Sequence, residues 1–371
     1  MGKRVFAIAV LTCLMICTFA LASCKADSWT VAREKIVSQS QQCYDVRLGF
    51  AGDICFADDY FPMQHLAELG STSISDGVDP VFIQIMHDMD LMWINNEFVY
   101  STRGEPLDGK AWTFRSSPEH VKYMTDLGVD IVGLANNHTY DYGPDAFVDT
   151  LSTLKDAGIP YVGAGHDLAE AKAPVYLNAD GFTIGYVAAS CAEYTIYTPQ
   201  ATDDSPGILW CYDDDLFLDS IREAAANADY VVALPHWGVE HSFELESKQL
   251  DSAKAYIDAG ADAVVGAHAH NLQGMEFYNG KPIVYNLGNF WFDDYDEHTM
   301  IAELRITGMR DANGFVDLGS ADVNLVVHPG TQSNMYAAWA NTAEWRNEIF
   351  RFLEGISLGV SIDDNGVVHP A

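Results

Sequence analysis

The stretch 262-DAVVGAHAHN-271 combines a short apolar strand with two histidines one residue apart. Gly266 interrupts the apolar run, and His268 and His270 follow it. Side chains at positions i and i+2 of an extended segment point to the same side, so we expect both imidazoles to face one point. Neutral imidazoles are common ligands of transition-metal ions. A polar loop with two solvated histidines would give the same short pattern, so the metal hypothesis depends on partners elsewhere.

Metal-capable side chains follow five segments that have strand character. They are Asp53, Glu97, Asn137 with His138, His236, and His268 with His270. In open α/β sheets, ligands bind at the carboxyl ends of the strands, so this repeated placement favours a metal site over chance. Mixed oxygen and nitrogen ligands suit Mn²⁺, Fe, Zn²⁺ or Mg²⁺ better than calcium. Two such ions about 3.5–4 Å apart would hold a phosphoryl or carbonyl group and activate water.

Strands and helices alternate from residue 45 onward, which predicts an α/β layered fold. The predicted strands are 46–51, 91–94, 130–135, 182–188, 230–234, 262–270, 283–286, 300–307 and 321–327. The predicted helices are 80–87, 118–127, 144–157, 214–227, 244–259 and 335–354. No linker divides residues 45–330, so we expect one domain there, with 331–371 as its C-terminal helix and tail.

The first 23 residues have the features of an export signal, because basic residues precede the apolar run 5–22. The run ends in LASC, which resembles a bacterial lipobox and makes Cys24 the expected lipidation site. An uncleaved transmembrane anchor also fits, since the run is nearly long enough to span a bilayer. Both interpretations predict an extracytoplasmic protein held at a bacterial cell membrane, with residues 24–44 as a tether.

The formal net charge is −33, from 53 acidic and 20 basic residues. A surface this acidic repels nucleic acid and anionic lipid headgroups, so neither is an expected partner. Contact with an anionic polymer must then be local and depend on bound cations.

Four cysteines follow Cys24, and none has the CxxC spacing of a structural zinc site. Disulfides can form outside the cytoplasm. Cys191 with Cys211 is the first pair to consider, because a loop-like stretch separates them. Cys55 can instead be a buried thiol, and Cys43 has no assigned partner.

Six segments in the range 50–290 together resemble the CapA family of poly-γ-glutamate or capsule synthesis proteins, within the calcineurin-like metallophosphatase superfamily. They are FAGDIC (50–55), INNEF (94–98), LANNHTYDYG (134–143), PHWGVE (235–240), GAHAHNLQ (266–273) and YNLGNF (285–290). Each segment alone is weak, but the ordered combination is specific. The resemblance implies a metallophosphatase-like four-layer sandwich, with two mixed β-sheets flanked by helices.

The same resemblance implies roles for individual residues. The implied ligands are Asp53 and His270 for a first ion, Glu97 as a bridge, and Asn137, His236 and His268 for a second ion. His138 would protonate a leaving group, and Asp141 would orient it. Residues expected to support these groups or contact substrate are Asn95, Asn136, Trp237, Glu240, Gln273 and Asn289. Of these, Asn136 fits a turn residue, Trp237 a wall or core residue, and Glu240 either a site or a surface residue.

The resulting hypothesis is a membrane-tethered hydrolase that carries two divalent ions and acts in the synthesis, attachment or processing of a cell-surface polymer. The alternative is a non-catalytic scaffold or binding lipoprotein that assists a membrane-embedded polymer synthase or exporter. Metal content discriminates between them, because a scaffold has no need of a loaded metal site.

Overall fold

The computed structural model describes residues 43–192, 197–310 and 321–371. The expected leader 1–23, Cys24 and nearly all of the tether lie outside these ranges. Within them, no helix combines the length and apolar character needed to cross a lipid bilayer.

The described residues form twenty strands. They are β1 (Cys43–Ile54), β2 (Leu91–Asn96), β3 (Val99–Tyr100), β4 (Arg115–Ser116), β5 (Ile131–Gly133), β6 (Tyr161–Val162), β7 (Ala164–Gly165), β8 (Val175–Ala179), β9 (Phe182–Ser190), β10 (Gly207–Ile208), β11 (Tyr230–His236), β12 (Ala263–Val265), β13 (Leu272–Tyr278), β14 (Lys281–Leu287), β15 (Asn289–Trp291), β16 (Glu297–Met309), β17 (Asp322–Ser333), β18 (Tyr336–Trp339), β19 (Val360–Ile362) and β20 (Val367–Pro370).

The same residues form eight α-helices and two 3₁₀ helices. The α-helices are α1 (Phe61–Glu68), α2 (Pro80–His87), α3 (Lys122–Asp126), α4 (Gly143–Ala157), α5 (Leu168–Lys172), α6 (Asp215–Asn227), α7 (Ser247–Ala259) and α8 (Ala343–Ile356). The 3₁₀ helices are Ile74–Asp76 and Pro118–Val121, so the predicted helix 118–127 divides into a 3₁₀ turn and the short α3.

Two large mixed sheets form the framework. The ten-stranded sheet has the order β19-β20-β17-β16-β1-β2-β5-β6, with β15 paired to β1 and β18 paired to β17. The six-stranded sheet has the order β13-β14-β12-β11-β9-β8. In both sheets the central strands are parallel, as in the pairs β1/β2, β2/β5, β11/β9 and β11/β12. The carboxyl ends of these parallel strands therefore lie together at one edge of each sheet.

Helices cover the sheets, and apolar side chains fill the space between them. On the six-stranded sheet, Phe217 of α6 and Tyr256 of α7 belong to one buried cluster with Val231 and Val264 of the strands. α8 packs against β13 of the smaller sheet and β17 of the larger one. The predicted fold class, α/β with two mixed sheets flanked by helices, is confirmed.

The predicted helix 335–354 is wrong over its first eight residues. Asn334 and Met335 both have left-handed φ values, 51° and 60°, and form a two-residue hairpin turn. The chain then returns as β18, antiparallel to β17. The helix begins only at Ala343, where the Thr342 side chain accepts a hydrogen bond from the amide of Trp345.

One buried ion cluster in the ten-stranded sheet makes its stability sensitive to acid. Arg47 of β1 donates to both oxygens of Glu303 on β16, at 2.7 and 3.0 Å, and His328 Nε2 lies 2.7 Å from the same carboxylate. Burial alone would raise the pKa of Glu303, but the hydrogen bonds from His328 and Arg47 outweigh it and lower the pKa to about 2. A lowered pKa stabilises the fold above the unfolded-state pKa, and this contribution disappears as the pH falls towards 2.

We expect Glu303→Gln to lower the free energy of unfolding at pH 7 by about 3 kcal/mol, from the pKa difference between about 4.3 unfolded and 2 folded. The difference from the parent protein should shrink between about pH 4.5 and 2. Urea unfolding across this pH range measures both quantities. The control is Asp45→Asn, which breaks an exposed ion pair with Arg305 on the same sheet and should change stability by less than about 1 kcal/mol. Equal pH dependence in parent and Glu303→Gln would contradict the assignment.

Candidate metal centre

The carboxyl ends of four strands bring the predicted ligands together. Asp53 lies at the end of β1, and Glu97 follows directly after its parallel neighbour β2. His236 is the last residue of β11, and His268 follows the adjacent β12. All four side chains are buried. The site is therefore built from both large sheets.

An irregularity in β1 sets the position of Asp53. The pairing of β1 with β2 shifts register between Ala51 and Asp53, and its pairing with β15 shifts at Asp53. Such bulges redirect side chains at the ends of strands. No residue with a side chain fits at the preceding position, Gly52, because a Cβ there would lie 1.8 Å from the carbonyl oxygen of Gly288.

The two histidines of the opening stretch do not sit in an extended strand, so the predicted strand 262–270 is wrong after Val265. His268 has φ 103° and His270 has φ 60°, both in the left-handed region. Gly266 still makes backbone hydrogen bonds with Val284 and Leu287, and a Cβ there would lie 2.2 Å from the carbonyl oxygen of Tyr285, so the extended pairing ends only after this residue. The two imidazole rings lie with their centroids 6.3 Å apart. The turn of the backbone brings them together, and not the shared orientation of residues i and i+2 in a strand.

The potential ligand atoms form two groups that share one carboxylate. Glu97, His236 and His268 form one group, and Asp53, Glu97 and His270 form the other. Within each group the donor atoms lie within 4.8 Å of one another. His268 and His270 fall in different groups, and Asn137 joins the first through its Oδ1, which lies 2.8 Å from His236 Nε2.

The chemistry of these donors fits a divalent transition-metal ion. Glu97 Oε1 and His268 Nδ1 are buried and have no hydrogen-bond partner among the residues that the structure describes. Burial and the neighbouring histidines lower the pKa values of His236 and His268 well below the usual range, so both rings are neutral with lone pairs to offer. Neutral imidazoles and carboxylates in one buried cluster are the ligand set of such ions.

The carboxyl groups of Asp53 and Glu97 disfavour each other's ionised form. Burial, and then repulsion from Asp53, raises the pKa of Glu97 well above its usual range. Burial likewise raises the pKa of Asp53, against a lowering effect from His270. Cations between these groups would favour the ionised form of both carboxylates.

Two asparagines hold the ligands from behind. Asn95 Nδ2 donates to Asp53 Oδ1 at 2.7 Å and lies 3.4 Å from Glu97 Oε2. Asn136 Nδ2 donates to the carbonyl oxygen of Asn96 and to Asn95 Oδ1, and its Oδ1 accepts from the amide of His138, so it is a turn residue that supports Asn95.

His138 belongs to a buried polar chain beside the ligands. Its Nδ1 lies 2.7 Å from Asp141 Oδ2, which also accepts from the amide of Phe114 at 2.7 Å. Lys110 Nζ donates to Asp141 Oδ1 at 2.6 Å and to the carbonyl oxygen of Asn137. The Lys110 side chain is only 4% exposed.

Sequence reasoning missed Lys110. It stands in the segment LDGKAW, which carries no metal or catalytic motif. The only signal was indirect, since a chain with 20 basic and 53 acidic residues has few cations to bury. The ammonium group bridges the Asp141 carboxylate and the backbone of the candidate ligand Asn137, and so fixes the loop that carries both residues.

Three of the remaining predicted residues, Trp237, Gln273 and Glu240, have different surroundings. Trp237 is buried, donates to the Tyr285 carbonyl oxygen and stacks on Tyr256, so it is a core residue. Gln273 donates to the Ser242 carbonyl oxygen at 3.0 Å and fixes that loop. Glu240 is exposed, although it lies close enough to raise the pKa of Glu97.

Asn289 supports the second ligand group and contacts Glu297, a residue that lines a cavity. Its Oδ1 lies 2.8 Å from His270 Nδ1, and its Nδ2 donates to Glu297 Oε1 at 2.7 Å. Glu297 lines a cavity of about 600 Å³ together with His241, whose ring stacks on His270 at 5.5 Å. Contacts through His241 and Asn289 therefore connect this cavity with the candidate ligand His270.

A family profile described as "Bacterial capsule synthesis protein PGA_cap" matches residues 47–294. The chain is 34% identical over 248 residues to the PGA biosynthesis protein CapA of Bacillus subtilis, covering 66% of this chain and 62% of that protein. It is 37% identical over 214 residues to the capsule biosynthesis protein CapA of Bacillus anthracis, covering 56% and 50%. The match thus spans less than two thirds of either relative. Among solved structures, the NAD nucleotidase of Haemophilus influenzae aligns with a TM-score of 0.42 and 12% identity over 87% of this chain and 58% of that one.

We expect Glu97→Gln to lower bound Mn²⁺ or Zn²⁺ more than His268→Ala does, because Glu97 belongs to both ligand groups. Elemental analysis after dialysis against each metal gives the number of ions per chain. The control is Glu223→Gln, an exposed glutamate on α6, which should bind as much metal as the parent. Parent-like metal content in Glu97→Gln would show that these groups do not hold the ions.

Proposed function

The chain belongs to the bacterial capsule synthesis protein family PGA_cap, and from that membership we propose that it is a metal-dependent hydrolase that makes, attaches or trims a cell-surface polymer such as poly-γ-glutamate. The observation that carries the proposal is the pair of ligand groups that share Glu97, beside the His138–Asp141–Lys110 chain. A phosphoester or a γ-glutamyl amide is the bond to be cleaved.

Divalent ions held by the two groups would act as Lewis acids toward a phosphoryl or carbonyl oxygen and make water a better nucleophile at neutral pH. The ligands proposed to hold them are Asp53, Glu97, Asn137, His236, His268 and His270.

His138 is the proposed general acid. Its Nδ1 is engaged with Asp141 at 2.7 Å, so the proton given to a leaving oxygen or nitrogen is carried on Nε2. Asp141 fixes the orientation of the ring, and Lys110 fixes Asp141 through an ion pair of 2.6 Å. Phe114 packs against the imidazole, with ring centroids 4.5 Å apart, and excludes water from that face.

The acidic surface limits how a polyanionic substrate can approach. With a net charge of −33, the protein repels such a polymer over most of its surface. Binding is therefore proposed to be local, at the metal centre and its adjoining cavity, and to depend on bound cations. Polymer binding that is independent of metal and salt would contradict this view.

We expect Mn²⁺- or Zn²⁺-loaded protein to hydrolyse a phosphodiester or a γ-glutamyl amide. His138→Ala should lower kcat by about 10²–10⁴-fold with metal content unchanged, as for loss of a general acid. His268→Ala should lower both activity and metal content. The control is His166→Ala, since this exposed histidine pairs only with Glu170 among the contacts described. Fully loaded protein without hydrolysis of either bond class would favour the scaffold alternative.

Export and lipid anchoring at Cys24 are part of the proposal. Their support is the leader-like sequence 1–23 and the LASC tetrapeptide that ends at Cys24. A membrane-embedded synthase or exporter is the proposed partner of the anchored protein.

We expect the parent protein to fractionate with bacterial membranes after expression and to incorporate labelled fatty acid. Cys24→Ser should abolish the label and release the protein or leave its leader uncleaved. Cys43→Ser, the next cysteine along the chain, should behave as the parent. Fatty-acid labelling that persists in Cys24→Ser would contradict the anchor.

A further inference from the structure

Cys191 and Cys211 lie side by side next to the metal centre. Ser190, the last residue of β9, forms a parallel bridge with Trp210. The Ser190 amide donates to Leu209 and the Cys211 amide donates to Ser190, both at 2.9 Å. This register places Cys191 and Cys211 opposite each other on two adjacent segments of the chain. Neighbouring strands are about 4.8 Å apart, which lies within the Cα separation of roughly 4.4–6.8 Å that a disulfide requires.

The two thiols already contact each other. Burial, and then the nearby Cys191 thiol, raises the pKa of the Cys211 thiol well above its usual range. Cys211 is buried in the core of the six-stranded sheet, whereas Cys191 packs against that core and is partly exposed. An oxidant from solution can therefore reach Cys191, with Cys211 in position behind it.

We propose that Cys191 and Cys211 form a disulfide bond that anchors the segment carrying Thr198 against the metal centre. Thr198 donates to the carbonyl oxygen of the ligand Asn137 at 2.8 Å, and Trp210 Nε1 donates to the Thr198 carbonyl oxygen at 3.2 Å. The Cys191 amide also donates to the carbonyl oxygen of the ligand His236 at 3.0 Å. The disulfide thus joins two segments of the chain, each of which contacts a proposed ligand residue.

The oxidant is a disulfide, either of a protein oxidoreductase or of a small thiol such as glutathione. The Cys191 thiolate attacks one sulfur of that disulfide, which gives a mixed disulfide and releases a thiol after protonation. The Cys211 sulfur then loses its proton and displaces the remaining oxidant sulfur from Cys191. The two cysteines lose two electrons and two protons, and the oxidant disulfide becomes two thiols.

The disulfide would restrain the segment that carries Thr198, which contacts Asn137. Closing a loop of about 20 residues stabilises a folded protein chiefly by restricting its unfolded chain. We expect the oxidised protein to have a Tm about 5 °C above that of the reduced protein. The inference concerns the residues behind the ligands, and it holds whether or not the centre hydrolyses a polymer.

The test uses the purified full chain, equilibrated in glutathione buffers of increasing oxidised fraction. Free thiols are then alkylated, and the digest is analysed by mass spectrometry without reduction. We expect a peptide pair that links Cys191 to Cys211, while the buried Cys55 stays outside any disulfide and the exposed Cys43 reacts with alkylating reagent or glutathione. Failure of the linked pair to appear when Cys43 is fully glutathionylated would overturn the proposal, as would a different pairing.

Two variants make the stability measurement specific. Cys191→Ser removes the partly exposed member of the pair and should abolish the rise in Tm on oxidation. Cys43→Ser should keep the rise. An equal oxidation-dependent shift in parent and Cys191→Ser would assign the effect to other thiols and overturn the proposal. Because the protein is purified, neither outcome depends on its location in the cell or on its activity.

Discussion

Asp53 and Glu97 bring two carboxyl groups into the interior, where both are fully buried and close enough to interact. Removing a carboxylate from water is unfavourable unless hydrogen bonds or opposite charge replace the solvent. Asn95 and the amide of His268 supply part of that replacement for Asp53. Glu97 Oε1 accepts no hydrogen bond from the residues that the structure describes, with His236 Nε2 3.5 Å away, so these residues compensate its burial only in part. Protonation of Glu97, whose pKa burial raises, or a bound cation supplies the compensation that remains.

The backbone that follows β12 adopts unfavourable conformations at two candidate ligands. Left-handed conformations of residues other than glycine are unfavourable by about 1–3 kcal/mol each, and they persist where the surrounding structure imposes them. His268 and His270 both adopt such conformations. Hydrogen bonds from the Ala267 amide to Pro235 and from the His241 amide to Ala269 hold this turn against the end of β11. The strain is therefore located where it directs two imidazoles into different ligand groups.

Behind the ligands, the site depends on polar contacts between loops. Lys110 connects Asp141 to the Asn137 backbone, and Thr198 reaches the same carbonyl oxygen from another loop. These contacts fix the loop that carries Asn137, His138 and Asp141 against the segments that carry Lys110 and Thr198. In a protein with such an excess of acidic residues, one buried lysine has a large local electrostatic effect. These contacts fix the orientation of the His138 ring, which is the proposed general acid.

The sequence by itself determined the alternation of strands and helices, and it indicated that ligand residues follow successive strands. These features are encoded locally, because apolar periodicity and chain-breaking residues act over a few positions. It was wrong at 335–342, where the turn at Asn334 lets β18 pair with β17, and at 266–270, where His268 and His270 adopt left-handed conformations. Only the tertiary structure decided these two segments, the burial of Lys110 and the contact of Cys191 with Cys211. Each depends on groups far apart in the chain or on the packing of loops, which local sequence patterns do not encode.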